Sequence, residues 1–255
     1  MANYKFNKKS VTEDCIAWIK SWISSNGNNL SKVIIGISGG KDSTVAAALC
    51  SKALGSDRVL GILMPNKIQN DIEDSKKICE LLNIKNYEIN IANIYNSIKD
   101  NLWVALNTDI TKNFETNTPA RIRMTMLYSI ASIIGNCFVC NTGNLSESFI
   151  GWETYGGDNL GDFAPLSNLT KTEVQEVGKY LKLPDELIFK EPSDGMCGST
   201  DEDALGFTYK ELDDLIRKNR KGVNFSKILC MNTKSAFKRI NIKIPAFEPK
   251  LDLRR

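Results

Sequence analysis

The chain has 255 residues, of which 42% are hydrophobic and 25% charged, with 33 basic side chains against 30 acidic ones. This composition is typical of a globular protein, and the length suits one large α/β domain, so we expect a single domain over residues 1–255. The chain has no histidine, which excludes Ser-His-Asp and Cys-His catalysis. No run is apolar enough to cross a membrane, and the first ten residues lack an apolar signal segment, so we expect a cytoplasmic protein.

Cysteine usage and charge distribution bear on compartment and partners. The seven cysteines are odd in number and scattered, which indicates reduced thiols and not a disulfide framework. From Arg217 to Arg255 the chain carries twelve basic residues against two acids. Such a basic segment indicates an anionic partner, which could be nucleic acid or a small molecule that carries phosphate.

The first strong signal along the chain is a glycine turn between a strand and a helix. A helix is predicted over Ser10–Ser25, and Val33–Ile37 reads as a strand buried on both faces. The segment 38–44, SGGKDST, then leads into an alanine-rich helix, so its backbone N–H groups and the helix dipole favour a bound anion. A Walker loop is excluded because Ile35 stands where its first glycine should be and Asp42 follows the lysine. An ordinary βα turn without a ligand remains the alternative.

The next elements predict a doubly wound parallel sheet. Strands are expected at Arg58–Leu63 and Tyr87–Ile91, with a helix over Asp71–Leu82 between them, so the order is β-α-β-α-β. Ligands of such sheets bind beyond the carboxyl ends of the strands. Met64 follows the second strand and is expected either to contact an adenine ring or to form the rim of the sheet.

A further helix is predicted from Pro119 to Ile134, after a polar connection over Thr108–Thr118. Pro119 suits a first helical turn. Arg121 and its neighbour Arg123 would then stand at the positive end of the helix dipole, which indicates a bound anion unless both are solvated surface residues.

The second half of the chain brings another strand to the same edge. Phe138–Asn141 is the predicted fourth strand, and the loop Gly151–Leu169 is long enough to be a substrate-covering lid. Thr170 is expected to cap a helix that begins with Lys171, a cation at the positive end of the dipole, which again indicates an anion. Two more helices are predicted over Tyr209–Arg220 and Asn224–Ile240.

In series, the motifs resemble the ammonia-dependent NAD synthetases, which are N-type ATP pyrophosphatases with an SGGxDS loop. The resemblance extends over most of the chain, and order and spacing both follow the family. It rests on SGGKDST at 38–44, LMPN at 63–66, ARIRM at 120–124, TGNLSE at 142–147, PLSNLTKTEV at 165–174, KEPS at 190–193 and TDED-LG at 200–206. The resemblance implies a Rossmann-like fold of the adenine nucleotide alpha hydrolase type, with extra C-terminal helices.

The resemblance also implies a reaction: the carboxylate of deamido-NAD attacks the α-phosphate of ATP, and ammonia then converts the acyl-adenylate into NAD and AMP. It assigns ATP binding to Gly36, Ile37, Ser38, Gly39, Gly40, Lys41, Asp42, Ser43, Met64, Thr142, Lys171 and Ser193. Mg²⁺ would be held by Asp42 and Glu147, and Asp42 and Lys171 would be the catalytic residues. Deamido-NAD would be bound by Arg121, Tyr155, Asp162, Phe237 and Lys238, and the family's members are homodimers.

Three positions depart from the family and leave the substrate open. Tyr155 stands where the family often has lysine, Phe237 where it often has histidine, and Lys41 where a neutral or amide residue is usual. The substrate could therefore be another carboxylate. The motifs are also compatible with an SGGxDS-loop pyrophosphatase that acts on a base or tRNA, and with a nucleotide-binding module without catalysis. We expect no membrane association and consider nucleic acid an unfavoured partner.

Overall fold

The computed structural model describes residues 3–68, 72–189, 200–218 and 221–254. The strands are β1 (Asn3–Lys5), β2 (Lys32–Gly36), β3 (Val59–Leu63), β4 (Lys85–Glu88), β5 (Cys137–Val139) and β6 (Asp252–Arg254). The helices are α1 (Lys8–Asn26), α2 (Lys41–Leu54), α3 (Ile72–Leu81), α4 (Ala92–Leu106), α5 (Lys112–Ile134), α6 (Leu145–Ile150), α7 (Lys171–Tyr180), α8 (Asp185–Ile188), α9 (Asp201–Leu205), α10 (Tyr209–Lys218), α11 (Phe225–Lys234) and α12 (Ala236–Asn241).

Four parallel strands form the central sheet in the order β4-β3-β2-β5. The chain runs from β2 outward to β3 and β4, and then returns to place β5 on the other side of β2. The order therefore reverses beside β2, and in open α/β sheets ligands bind at the carboxyl ends of the strands at such a reversal. The predicted doubly wound sheet is confirmed, and the glycine turn after β2 lies at this point.

Helices cover both faces of the sheet because successive strand residues point to opposite sides. Val33 and Ile35 pack into a core with α1, α2 and α7, whereas Ile34 and Leu60 face a second core built with α4 and α5. All five residues of β3 are buried, as expected for a strand covered on both faces. The continuous apolar runs seen in the sequence follow from this double burial.

A third apolar cluster lies in the C-terminal half of the chain. Ile150 from α6, Leu205 from α9, Leu212 from α10 and Ile228 from α11 are buried together. The predicted C-terminal helices are thus present, and they pack on the short helix that follows β5. This packing brings α9 and α10 to the carboxyl edge of the sheet.

Two strands differ most from the prediction, whereas β2 and β3 each lie within one residue of their predicted bounds. β4 spans Lys85–Glu88 and not Tyr87–Ile91, and β5 spans Cys137–Val139 and not Phe138–Asn141. All four residues of β4 are exposed at the edge of the sheet, so the chain has no apolar signal there to mark the strand.

The helix predicted from Pro119 begins earlier than expected. Thr111 is its N-cap, with Oγ1 accepting a hydrogen bond of 3.2 Å from the backbone N–H of Phe114, so the segment 108–118 is largely helical. Pro119 consequently lies well inside α5. The two arginines that follow it are not in the first turn, so the helix dipole gives no reason to expect an anion beside them.

The remaining differences are local. The predicted Asn224–Ile240 helix is broken at Ser235 into α11 and α12. α1 begins at Lys8 because the side chain of Asn7, and not that of Ser10, caps the helix. β1 and β6 pair in a small antiparallel sheet that the sequence does not predict. No helix among the described residues is both long and apolar enough to cross a membrane.

Candidate active site

The turn between β2 and α2 is held in shape by hydroxyl groups. The two Oγ atoms of Ser38 and Ser43 lie 3.2 Å apart, and the backbone N–H of Gly40 donates to Ser38 Oγ at 3.2 Å. Ser43 and Thr44 both donate to the carbonyl of Gly40, at 3.0 and 2.8 Å. Gly39 has φ of 83°, a conformation that favours glycine.

The first turn of α2 has no side-chain cap. Gly40 is its N-cap residue and offers no side chain, so the N-terminal N–H groups of a 14-residue helix face the carboxyl edge of the sheet. Lys41 is buried, and burial together with the nearby ammonium of Lys171 lowers the pKa of Lys41. The turn therefore combines helix N–H groups, hydroxyls and a cation, which suits an oxygen-rich anion.

Lys171 is the centre of the site. Its side chain is only 4% exposed, and Nζ lies 2.6 Å from Glu147 Oε1, 3.9 Å from Asp42 Oδ2 and 3.8 Å from Asp201 Oδ2. The ammonium also lies 4.0 Å from the ring centroid of Tyr209. Although burial alone would lower it, these carboxylates raise the pKa of Lys171, so the residue is a cation at neutral pH.

The cation at the start of α7 is therefore neutralised by carboxylates within the described chain. Its position in the sequence indicates a bound anion, whereas in the structure three carboxylates already compensate it. Burial raises the pKa of Glu147, and the ammonium of Lys171 opposes that rise. The sequence does not mark Asp201 and Tyr209 as site residues, and only the TDED-LG motif points to their neighbourhood.

Buried polar residues fix these groups in place. Asn144 caps α6 by accepting from the N–H of Glu147 at 3.0 Å, and its amide donates to Asp42 Oδ1 at 3.1 Å. Asp213 accepts from Ser146 Oγ at 2.5 Å and from the backbone N–H of Thr172 at 2.8 Å. The starts of α2, α6 and α7 are thus joined to one another and to α10.

The cap predicted at Thr170 is present as a capping box and belongs to a larger network. Glu173 accepts from the N–H of Thr170 at 2.8 Å and from Arg217 Nε at 2.7 Å, and Tyr4 also donates to it. Arg217 comes from α10 and is mostly buried. This network holds the helix that carries Lys171 against α10.

Of the other residues predicted to bind ATP, Met64 and Thr142 lie in the described part of the chain and Ser193 does not. Met64 is buried beside Gly36, where its Cε lies 3.4 Å from the position that a Cβ on that glycine would take. Its carbonyl accepts from Arg123 Nε at 3.0 Å. Thr142 lies in the loop between β5 and α6, next to the Gly143–Asn144 turn. Ser193 lies outside the described residues.

Four of the five residues predicted for deamido-NAD form one group. The rings of Tyr155 and Phe237 have centroids 5.6 Å apart, and Arg121 Nε donates to the carbonyl of Tyr155 at 3.2 Å. Lys238 Nζ donates to the carbonyls of Gly151, at 2.7 Å, and of Glu153. Two cations and two rings therefore meet on the loop 151–162.

Asp162 has a different environment. Its Oδ2 accepts from the backbone N–H of Val139 at 2.7 Å, and its Oδ1 accepts from the hydroxyl of Tyr128 at 3.3 Å. Burial, followed by the charge of Asp162, raises the pKa of Tyr128 to about 12. The carboxylate of Asp162 thus anchors the loop to β5 through contacts that the sequence does not indicate.

The basic C-terminal segment is partly used inside the molecule. Arg239 donates to the carbonyls of Ser148, at 2.7 Å, and Phe149, at 3.0 Å, while Lys238 binds the carbonyl of Gly151. Ser148 and Phe149 lie in the last turn of α6 and Gly151 is its C-cap residue, and cations at a helix C-terminus are favourable. We define residues 236–241, the helix α12, as the C-terminal strap.

Comparison with known proteins identifies the family. The profile of the NAD synthase family matches residues 11–243. The chain belongs to the NAD synthase family. It is 41% identical over 213 residues to the protein of Pyrococcus furiosus named NH(3)-dependent NAD(+) synthetase, which covers 83% of this chain and 79% of that one.

Two solved structures of this fold show the same relationship. The structure of NMN synthetase from Francisella tularensis matches with a TM-score of 0.84 and 32% identity, over 95% of this chain and all of that one. An NH3-dependent NAD synthetase from Campylobacter jejuni, in complex with the nitrate ion, matches with a TM-score of 0.73 and 28% identity, over 96% of this chain and all of that one. The family expected from the motifs is confirmed, and the chain is an enzyme of the NAD synthase family.

The NAD synthase assignment gives the carboxylates around Lys171 a chemical context. The described residues contain no group of three or more metal-ligating side chains suited to a metal ion. Mg²⁺ in nucleotide sites is usually held by one or two carboxylates together with phosphates and water. Asp42 and Glu147 converge on one ammonium at 3.9 and 2.6 Å, so this pair fits such a donor set.

Proposed function

We propose that this NAD synthase family member amidates deamido-NAD to NAD, with ATP as co-substrate and ammonia as nitrogen donor. In the first step the nicotinate carboxylate displaces pyrophosphate from ATP, and in the second ammonia displaces AMP. The observation that carries the proposal is Lys171, a buried cation beside the glycine turn and three carboxylates at the reversal of the sheet. Such a site performs adenylation by positioning and charge neutralisation, and it needs no histidine.

We assign the ATP half to the glycine turn and the helix start beside it. Gly36 and Ile37 line its approach from β2, and the N–H groups and hydroxyls of residues 38–43 bind the departing pyrophosphate. Lys171 neutralises charge that develops on the α-phosphate. Met64 contacts adenine, Thr142 contacts the phosphates or the ribose of ATP, and Ser193 stays a predicted ATP contact.

We assign Mg²⁺ binding to Asp42 and Glu147. The bound ion would supply neutralisation of the charge on the ATP phosphates. Within the chain, Asn144 orients Asp42, and Lys171 keeps both carboxylates close together when no nucleotide is bound. When phosphates arrive they give this ammonium new anionic partners, and the two carboxylates are released from it.

We assign the dinucleotide half to Arg121, Tyr155, Asp162, Phe237 and Lys238. The like charges of Arg121 and Lys238 lie close enough for Arg121 to contribute to the lowered pKa of Lys238, after burial as the larger cause. Two cations held side by side favour an anionic substrate group. The rings of Tyr155 and Phe237 offer apolar faces to an aromatic base, and Asp162 holds the loop that carries them.

A second candidate substrate is nicotinate mononucleotide. The neighbour from Francisella tularensis is named an NMN synthetase and resembles this chain over 95% of its length. In this chain Tyr155 and Phe237 replace two polar residues that are usual on the dinucleotide side, and their rings pack together. A smaller substrate needs fewer polar contacts there, so this ring pair favours the second candidate.

The deciding experiment measures pyrophosphate exchange into ATP as a function of the carboxylate offered. We expect exchange with deamido-NAD in the presence of Mg²⁺, and amide product with AMP when ammonium chloride is added. Exchange and amidation with nicotinate mononucleotide at higher kcat/KM would establish the second candidate. Exchange with neither carboxylate would contradict the adenylation proposal, and exchange that depends on tRNA would establish another substrate class.

We propose that the protein acts as a homodimer. Trp103, Val104 and Leu106 on α4 and Ile133 on α5 have large exposed apolar side chains on the helical layer that covers one face of the sheet. Such a surface is typical of an interface between subunits. Sedimentation equilibrium should give twice the chain mass, and the Trp103→Glu variant should weaken association. A monomer at micromolar concentration would contradict this proposal.

We further propose that the chain works as one domain in the cytoplasm. The described cysteines are all free, which agrees with a reducing compartment. Most polar contacts of the basic residues Arg217, Lys238 and Arg239 are internal. A nucleic-acid partner is accordingly not part of the proposal, and retention on single-stranded nucleic acid at physiological salt would contradict it.

A further inference from the structure

One carboxylate near the active site takes no part in the proposed binding of ATP, deamido-NAD or Mg²⁺. Glu153 lies in the loop 151–162, and its side chain is half-buried. Its Oε2 lies 3.8 Å from the position that a Cβ on Gly143 would occupy, so it faces the turn between the predicted ATP contact Thr142 and Asn144. Among the described residues no hydrogen bond is donated to this carboxylate. The oxygens of Glu153 are not among the fully buried unpartnered polar atoms of the described residues, so water or a bound cation can reach this carboxylate.

The position of Glu153 places it between the two halves of the proposed site. On one side is the turn after β5, and on the other its own carbonyl accepts from Lys238 of the dinucleotide group. In the proposed reaction the α-phosphate and the nicotinate carboxylate meet between these two sides, and both are anions. An ionised carboxylate next to two anions is unfavourable unless a cation lies between them. Lys238 and Arg239 compensate part of this charge, and the cation that the reaction itself brings, besides the metal ion assigned to Asp42 and Glu147, is ammonium.

We infer that Glu153 binds the ammonium ion that supplies the amide nitrogen and accepts a proton from it. This inference rests on the proposed function, because it needs an acyl-adenylate to receive the nitrogen. One ammonium proton passes to the carboxylate of Glu153, and the nitrogen lone pair forms the C–N bond at the acyl carbonyl. The C–O bond to AMP breaks, AMP leaves with that electron pair, and a second proton is released from nitrogen to water.

The charges that face Glu153 support this role. Its carboxylate interacts electrostatically with Asp158 in the same loop. It also interacts with Lys238 and Arg239 in the C-terminal strap. Burial, followed by the charge of Asp158, raises the pKa of Glu153 to about 7, against the opposing effect of the two cations. A higher pKa brings the carboxylate nearer to ammonium in proton affinity, so it is a better proton acceptor than an ordinary glutamate.

The test uses the full chain and separates the two half-reactions. In Glu153→Gln we expect pyrophosphate exchange with deamido-NAD to stay within about twofold of the unaltered protein, while kcat/KM for ammonium falls by about a hundredfold or more, as for loss of a positioned base. Glu153→Asp keeps the charge and should retain part of the activity. Glu80→Gln, an exposed carboxylate on α3, is the matched control and should change neither reaction.

Two further readouts distinguish proton acceptance from a structural role. Hydroxylamine is largely uncharged at neutral pH and needs no base, so it should serve Glu153→Gln almost as well as the unaltered protein. With ammonium, kcat/KM should level off above about pH 7 in the unaltered protein because Glu153 is then ionised. In Glu153→Gln it should keep rising with the fraction of free ammonia.

Equal loss of exchange and amidation in Glu153→Gln would overturn the inference, because the residue would then serve adenylation or folding. An unchanged KM and pH profile for ammonium would also overturn it, and so would a loss with hydroxylamine as large as that with ammonium. Absence of exchange in the unaltered protein is a different result: it contradicts the proposed function itself and is seen before any variant is made.

Discussion

Replacing Lys171 by methionine tests the electrostatics at the centre of the site. Methionine keeps most of the side-chain volume but removes the ammonium that three carboxylates share. Asp42, Glu147 and Asp201 would then be left together, with side chains only 11–19% exposed. We expect the variant to lose both stability and the ability to form AMP.

The expected loss in the free energy of unfolding follows from the distances between the Lys171 ammonium and the three carboxylates. A pair of unit charges about 4 Å apart attracts by about 4 kcal/mol at an effective dielectric constant of 20, and desolvation of the ions offsets part of this. Removing one partner of a buried ion pair typically costs about 3–5 kcal/mol. Because water reaches part of each carboxylate around Lys171, we expect the free energy of unfolding to fall by about 3 kcal/mol, at the lower end of that range.

The loss of stability in Lys171→Met should depend on pH, and its direction can be derived. In the variant Glu147 loses the ammonium that opposes the effect of burial, so its pKa rises further and this carboxylate takes up a proton as the pH falls. Protonation removes the repulsion, and the stability difference from the unaltered protein should therefore be largest near about pH 8 and shrink toward about pH 5.5.

Urea unfolding of both proteins at the two pH values measures this difference. Lys179→Met is the matched control, because Lys179 also pairs with a glutamate at 2.6 Å but lies on the surface, and its loss should cost less than about 1 kcal/mol. Equal losses in the two variants, or a loss in Lys171→Met that does not depend on pH, would refute the reasoning.

Three further outcomes follow from the structure. Asp42→Ala should abolish AMP formation while circular dichroism stays unchanged, and a folded variant with full activity would contradict its role. Arg217→Met should lower the free energy of unfolding by about 3 kcal/mol in urea titrations, because Glu173, only 3% exposed, would lose its bidentate partner. Gly178→Ala should lower the thermal midpoint although alanine favours helix by about 1 kcal/mol, because its Cβ would lie 2.7 Å from Ile188 Cγ2, and such overpacking costs about 1–3 kcal/mol. A raised midpoint would show that Ile188 moves aside freely.

The parts of the site that could be predicted from sequence are local. The loop at 38–44 is recognisable because a buried strand, two glycines and a helix start are contiguous in the chain. The position of Lys171 at a helix start followed from Thr170, whose capping box involves a residue only three positions away. In both cases the signal lies within about one turn of the residue concerned.

The rest depends on contacts between distant segments. Asp201 and Tyr209 reach Lys171 only because α9 and α10 pack on α6 through the third apolar cluster. Asp213 caps α7 from forty-one residues further along the chain, as its contact with Thr172 shows. The spacing of these residues in the sequence does not indicate that they are in contact. The sequence therefore indicates an external anion for Lys171, whereas its compensating charges come from three separate elements of the chain.

The sequence also does not show which individual side chains are exposed or buried. The predicted position of β4 is displaced because an edge strand with exposed residues has no apolar pattern. The sequence does not single out Glu153 either, because a lone glutamate in a loop is ordinarily solvated. Its importance follows from its burial and from the lack of a hydrogen-bond donor among the described residues, which only the folded chain reveals.

The C-terminal strap has a consequence for measurements of motion. Its cations hold the final carbonyls of α6 across a gap of more than eighty residues in sequence. Amide protons of residues 236–241 and of residues 148–153 should consequently exchange with solvent deuterium together, as one cooperative unit. A ligand that tightens the loop at 151–162 would slow exchange in both segments, so exchange in the strap should report occupancy of the dinucleotide site, to which the strap contributes Phe237 and Lys238.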